Sequence, residues 1–141
     1  GGTGIAIQSG VHNFILGNSI YENGKLGIDL GDDGVTLNDA LDPDSGANEL
    51  QNYPLITGAF IDANGTLQVV GLLWSKPLSA YLVQVYFSPA ADPSGFGEGQ
   101  EYWGHFPVWT NEAGFAYFPS VPAGNYAKGL LSASAGVRAG F

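Results

Sequence analysis

The 141-residue sequence contains no cysteine and no methionine. Without cysteine there are no disulfides, thiolate zinc sites or cysteine nucleophiles, so the fold is held by packing or by a hard metal ion. Positive charge is almost as scarce. Lys25, Lys76, Lys128 and Arg138 stand against thirteen acidic residues, a formal net charge of −9. A chain this acidic repels a phosphate backbone, which argues against nucleic acid and anionic membranes as partners. Two histidines, His12 and His105, are too few for a three-histidine zinc site. No Gly-x-Ser-x-Gly elbow accompanies them, so a Ser-His-Asp nucleophile has no support. No apolar run approaches the roughly 18 residues that cross a bilayer, and no charged-then-apolar export signal opens the sequence. The lack of any methionine, position 1 included, leads us to expect a piece of a longer protein.

What the sequence does have is glycine, 22 residues of it, together with 8 prolines and 18 aromatic residues. Glycine-punctuated, aromatic-rich chains suit all-β folds, and the length suffices for one domain, or one domain and part of a second. Gly-Ile-Ala-Ile at 4 to 7 recurs as Gly-Ile-Asp-Leu at 27 to 30, a displacement of 23 residues. That is a plausible length for one solenoid coil. Asn13, Asn18 and Asn23, each near a glycine, fall where such a coil must turn sharply. Phe14, Ile15, Leu16 and Ile20 supply inward apolar side chains. A solenoid needs about three stacked repeats to bury its faces, and here there is at most one and a half. Residues 1–30 are therefore expected to dock on the rest of the chain, to swap between chains, or to be partly disordered. A bare coil end offers unpaired strand edges, so a homo-oligomer is a further expectation.

The stretch "GVHNFILGNSIYENGKLGIDLGDDG" resembles the terminal coils of right-handed parallel β-helix repeat proteins of bacterial surfaces. Further along come Leu50-Gln-Asn-Tyr-Pro54, then "DPSGFGEGQ" at Asp92 to Gln100 and "VPAG" at Val121 to Gly124. These are similar, in their order, to the β-module that follows the helix in many such proteins. The resemblance covers roughly residues 4 to 125. It implies an extracellular or cell-surface protein, often adhesive or associated with polysaccharide, without fixing one activity. The ending, Tyr126 to Phe141, departs from the family pattern of an alternating Thr/Ala strand and an Asn-rich close.

Independently of that resemblance, period-2 alternation marks strands over Thr66 to Trp74, Tyr81 to Ser88, Tyr102 to Thr110 and Phe115 to Phe118. In the second, Tyr81, Val83, Val85 and Phe87 share a face. Turn-forming composition separates these strands at the spacing of an antiparallel sandwich, with no long helix. The expectation is an all-β chain: partial β-helix coils over 1–30, an acidic connector over 31–53, and a β-sandwich over 54–141 with an atypical C-terminus.

Three groups of residues could carry chemistry. Asp29, Asp32, Asp33, Asp39, Asp42, Asp44 and Glu49 fall within 21 residues that contain no Lys or Arg. Turn formers and neutral oxygen donors are interspersed among them, as an irregular Ca²⁺ site would require, with Asp39, Asp42, Asp44 and Asn48 as candidate ligands. The spacing is not an EF-hand. A solvated acidic connector or a catalytic carboxylate pair are the alternatives. In "EYWGHFPVWT", a regular strand would put Trp103, His105 and Trp109 on one face, where flat rings could stack on the C–H faces of a polysaccharide or cell-surface glycan. The same rings could equally belong to the core. Pro107 marks this strand as an edge or bulged one. Finally, Glu98 and Glu101 beside His105 could serve a small glycan-active hydrolase or lyase if two carboxylates faced each other across a cleft. The resemblance favours a structural loop there. The preferred reading is a non-catalytic, calcium-binding module for polysaccharide or adhesion. The rivals are the small glycan-active enzyme and a structural cap for a longer β-helix.

Overall fold

The structure is a computed structural model and describes residues 1–125 and 135–139. It is all-β. Two short strands, β1 (Ile5–Ile7) and β2 (Ile28–Leu30), pair in parallel. Six more strands follow among the described residues: β3 (Leu55–Ile61), β4 (Thr66–Trp74), β5 (Ala80–Phe87), β6 (Glu101–Trp109), β7 (Phe115–Asn125) and β8 (Ala135–Ala139). They form two antiparallel three-stranded sheets, ordered β3-β4-β7 and β6-β5-β8. The only helical element among the described residues is a single turn at Ala47–Leu50.

Alternation dictates which side chains go inward. Along β5, Tyr81, Val83, Val85 and Phe87 are all buried. Leu73 of β4, Tyr81 and Val83 of β5, Val108 of β6, and Ala116 and Phe118 of β7 pack into one cluster, with Phe106 against it. Both sheets contribute, so this cluster is the layer between them. Gly71 sits where β4 is most crowded. A Cβ there would lie 2.3 Å from the Leu55 carbonyl oxygen and 2.4 Å from the Phe118 ring, so no side chain fits.

Polar turns close the hairpins. Asp62 Oδ1 accepts from the amides of Asn64 (2.8 Å) and Thr66 (3.0 Å), and Gln68 donates to Oδ2 at 2.8 Å. Asn111 does the same for Ala113 (2.9 Å) and Phe115 (3.0 Å). These are Asx turns, in which a side-chain oxygen replaces a backbone acceptor.

The 23-residue displacement returns as the register of the parallel pair, Ile5 opposite Ile28 and Ile7 opposite Leu30. The described residues show this pair and not a β-helix. Between β1 and β2 the chain lies on the outer face of the second sheet. Gln84 Nε2 donates to the Ile15 carbonyl at 3.0 Å, and Gln84 Oε1 accepts from the Gly17 amide at 2.7 Å. Ile20 N–H donates to the Gly99 carbonyl at 2.7 Å. Gln84 and Tyr86 point away from the sandwich core and yet are buried, because this N-terminal segment covers them.

The strand expected over Phe115 to Phe118 runs on to Asn125, and two further features differ from the sequence pattern. Leu55–Ile61 carries no clean alternation and is nevertheless a strand, bulged between Ile56 and Gly58. The regular alternation expected of β6 breaks at Trp103: Tyr102 pairs with Tyr86 and Gly104 with Val85, so Trp103 is the extra residue of a bulge. Pro107 does lie on an edge strand, β6, opposite Leu82. The atypical ending over Tyr126 to Phe141 lies outside the described residues, apart from the backbone of β8.

Candidate functional site

The residues of β4 and β7 that alternate away from the core converge on the outer face of the first sheet. Trp74 stands directly opposite Phe115, and Leu72 stands between Tyr117 on one side and Leu55 on the other. The Trp74 and Phe115 rings lie 5.2 Å apart with planes 6° from parallel, and Phe115 and Tyr117 continue the row at 6.1 Å and 16°. Trp74 Nε1 donates to the Ala113 carbonyl at 3.2 Å, which fixes the indole in its row. Tyr117 at the end of the row is 65% exposed. The row is thus a set of mutually stacked rings held by direct cross-strand pairing, with the exposed Tyr117 at its open end.

The aromatic face expected on β6 is divided. Trp103 stacks on Phe87 at 5.9 Å and packs against Leu67 and Val69, so the bulge turns it inward. His105 and Trp109 are exposed, and Tyr102 takes the outer position that regular alternation assigns to Trp103. The Tyr102 hydroxyl and His105 Nδ1 are hydrogen-bonded to each other.

The acidic connector is held by amides. Asn52 Oδ1 accepts from the Asp39 amide at 3.0 Å, and its Nδ2 donates to the carbonyls of Asp39 and Trp74, both at 2.8 Å. Asn38 exchanges two bonds of 2.8 Å with the backbone of Tyr53. Asn48 is turned to the N-terminal segment: its Oδ1 accepts from the Asn13 amide at 2.9 Å and its Nδ2 donates to the Asn13 carbonyl at 2.9 Å. Asp29 is buried and accepts from the Gly34 amide. Glu49 pairs with Lys76 at 2.9 Å.

Of the four candidate calcium ligands, Asp39 and Asp42 are brought close enough to repel each other. Asp42 is 1% exposed, accepts a hydrogen bond from Ser75 Oγ, and accepts another from the Asn52 amide at 3.3 Å. Burial pushes its carboxyl above the usual range, against the opposing pull of those hydrogen bonds. Asp39 Oδ1 is buried without a hydrogen-bond partner. Asp44 is only partly buried, and Asn48 is engaged elsewhere. Among the described residues no three acidic or histidine side chains gather as metal ligands would.

Of the candidate catalytic residues, Glu98 is buried and joined to the N-terminal segment. Its Oε1 accepts from Asn23 Nδ2 at 2.8 Å and its Oε2 from the Asn23 amide at 3.2 Å. Glu101 is exposed at the start of β6, opposite Phe87, and His105 bonds Tyr102. Glu98 thus fastens the loop before β6 to the coil.

The row of Trp74, Phe115 and Tyr117 was not apparent in the sequence. Alternation in β4 does point Trp74 away from Leu67, Val69 and Leu73, and Phe115 and Tyr117 away from Ala116 and Phe118. Nothing local says that β4 and β7 are neighbours, and that pairing makes the row. No protein-family model matches the chain, and no solved structure matches it.

Proposed function

We propose that the chain is a non-catalytic, extracellular β-module that binds a neutral polysaccharide along the row of Trp74, Phe115 and Tyr117. The observation that carries the reading is the alignment of three rings on one outer sheet face. Stacking on the C–H faces of sugars supplies affinity for a ligand without charge. The net charge of −9 sets the class, because uronate or sulfated chains would be repelled. The likeness of the N-terminal coil and the "DPSGFGEGQ" loop to β-helix surface proteins supports the extracellular setting.

The test is calorimetric titration with soluble neutral polysaccharides and a polyuronate, followed by sizing of the recovered chains. Binding to a neutral chain that is returned intact is expected. Tyr117→Ala should weaken it by about 0.5–1.5 kcal/mol, the worth of one stacked ring, and Trp109→Ala on the other sheet should not. Loss through Trp109→Ala alone would move the site to the face of β6. Shortened chains would restore the hydrolase or lyase reading. Absence of binding to any chain would leave a structural cap.

A further inference from the structure

A cleft of about 530 Å³ lies between the N-terminal coil, the acidic connector and the loop before β6. Its walls include Phe14, Ile28, Val35, Leu55 and Phe96, and the first four of these are exposed apolar side chains. The volume falls in the range of small-molecule sites. Two features of its charge define the occupant. Glu98 lines the cleft and is 6% exposed, and the hydrogen bonds it accepts come from the neutral Asn23. Among the described residues no lysine or arginine lines the cleft, His12 is the histidine in its wall, and Glu49, the other acidic residue there, is already neutralised by Lys76. A carboxylate at the edge of an apolar space without a cationic partner is complementary to a cation that brings its own apolar body. Each Glu98 oxygen accepts one of these bonds and has capacity for another.

We propose that this cleft binds a small amphipathic amine, its ammonium group on Glu98 and its aryl or alkyl body against Phe96 and Ile28. The site is separate from the aromatic row, and neither requires the other.

Three ligands of one shape separate the contributions: 2-phenylethylamine, 2-phenylethanol and 3-phenylpropionate, titrated into the whole protein by saturation-transfer NMR and calorimetry. The amine is expected to bind at least tenfold more tightly than the alcohol, and the carboxylate not at all. Glu98→Gln should bring the amine down to the affinity of the alcohol. Because that change also disturbs the Asn23 contact, Val35→Trp at the rim serves as a second variant, expected to abolish binding of amine and alcohol alike. Equal affinity for amine and alcohol, binding of the carboxylate, or amine binding undiminished in Val35→Trp would each overturn the proposal.

Discussion

Asp42, Ser75 and Tyr81 form a buried polar chain whose direction is set by proton supply. In its ionised state Asp42 only accepts, so the single Ser75 hydroxyl proton goes to it, and the Tyr81 hydroxyl, 2.8 Å away, then donates to Ser75. The Lys76 amide then donates to Tyr81 at 3.2 Å. Ser75→Ala removes the middle of the chain at a fully buried position, and should lower unfolding free energy by about 1–3 kcal/mol in urea titration, the cost of a stranded buried polar group. Asp42→Asn should act in the opposite direction at neutral pH. Burial raises the Asp42 carboxyl, so ionising it costs more in the folded state than in the unfolded one. The stability held by the protonated form is complete below the unfolded carboxyl range and is lost as pH rises through the folded value. The urea midpoint of Asp42→Asn should therefore exceed that of the parent at pH 7, with the difference shrinking toward pH 3. A constant difference across that span would show that charge is not the cause. In the sequence Asp42 stood out only as one of three aspartates named as candidate calcium ligands. The partner that buries it is 33 residues away, and no local pattern carries that information.

At the level of elements, the acidic connector shows how a segment with six carboxylates keeps its shape without lysine or arginine inside it. Asn38, Asn48 and Asn52 have the composition of neutral metal ligands. In the structure each instead substitutes for a strand neighbour, taking a backbone amide on its oxygen and giving its protons to carbonyls. Asn52→Ala would leave the Asp39 amide and the Asp39 and Trp74 carbonyls without it, with a penalty of about 1–3 kcal/mol for each group that water cannot reach. A chelator should leave the melting temperature of the parent unchanged, because the amides do the holding. A drop on chelation, reversed by calcium and absent in Asp39→Asn, would instead assign an ion to the buried Asp39 oxygen. The strands themselves were largely legible: alternation places β4 at its observed limits, and β5 and β6 within one residue of theirs. The β6 bulge was not, since an extra residue leaves the composition of a strand unchanged and emerges only when a partner fixes the register.

For the whole molecule, charge and connectivity decide. Against a net charge of −9, the described residues hold a single ion pair, Glu49 with Lys76. Screening should therefore stabilise the fold. Between about 0.01 M and 0.1 M salt the Debye length falls from about 30 to 10 Å, and the melting temperature should rise, by roughly 3 °C for each 1 kcal/mol of repulsion relieved. A fall with salt would mean that attractions dominate. The all-β class was legible from composition and turns, but the association of β4 with β7 and of the coil with β5 was not, because sheets are completed by strands remote in sequence. That remoteness also sets a schedule. Gln84 receives the Gly17 amide from 67 residues earlier in the chain. A ribosome adding about 5–20 residues per second needs about 3 to 13 s to cover that distance. Throughout that interval the coil has been synthesised but its seat has not, and the Ile15 carbonyl and Gly17 amide lack the Gln84 partner that holds them in the fold. For those seconds the coil is a client of whatever holds unfinished chains, and the speed of translation between Gly17 and Gln84 sets how long it needs a guardian.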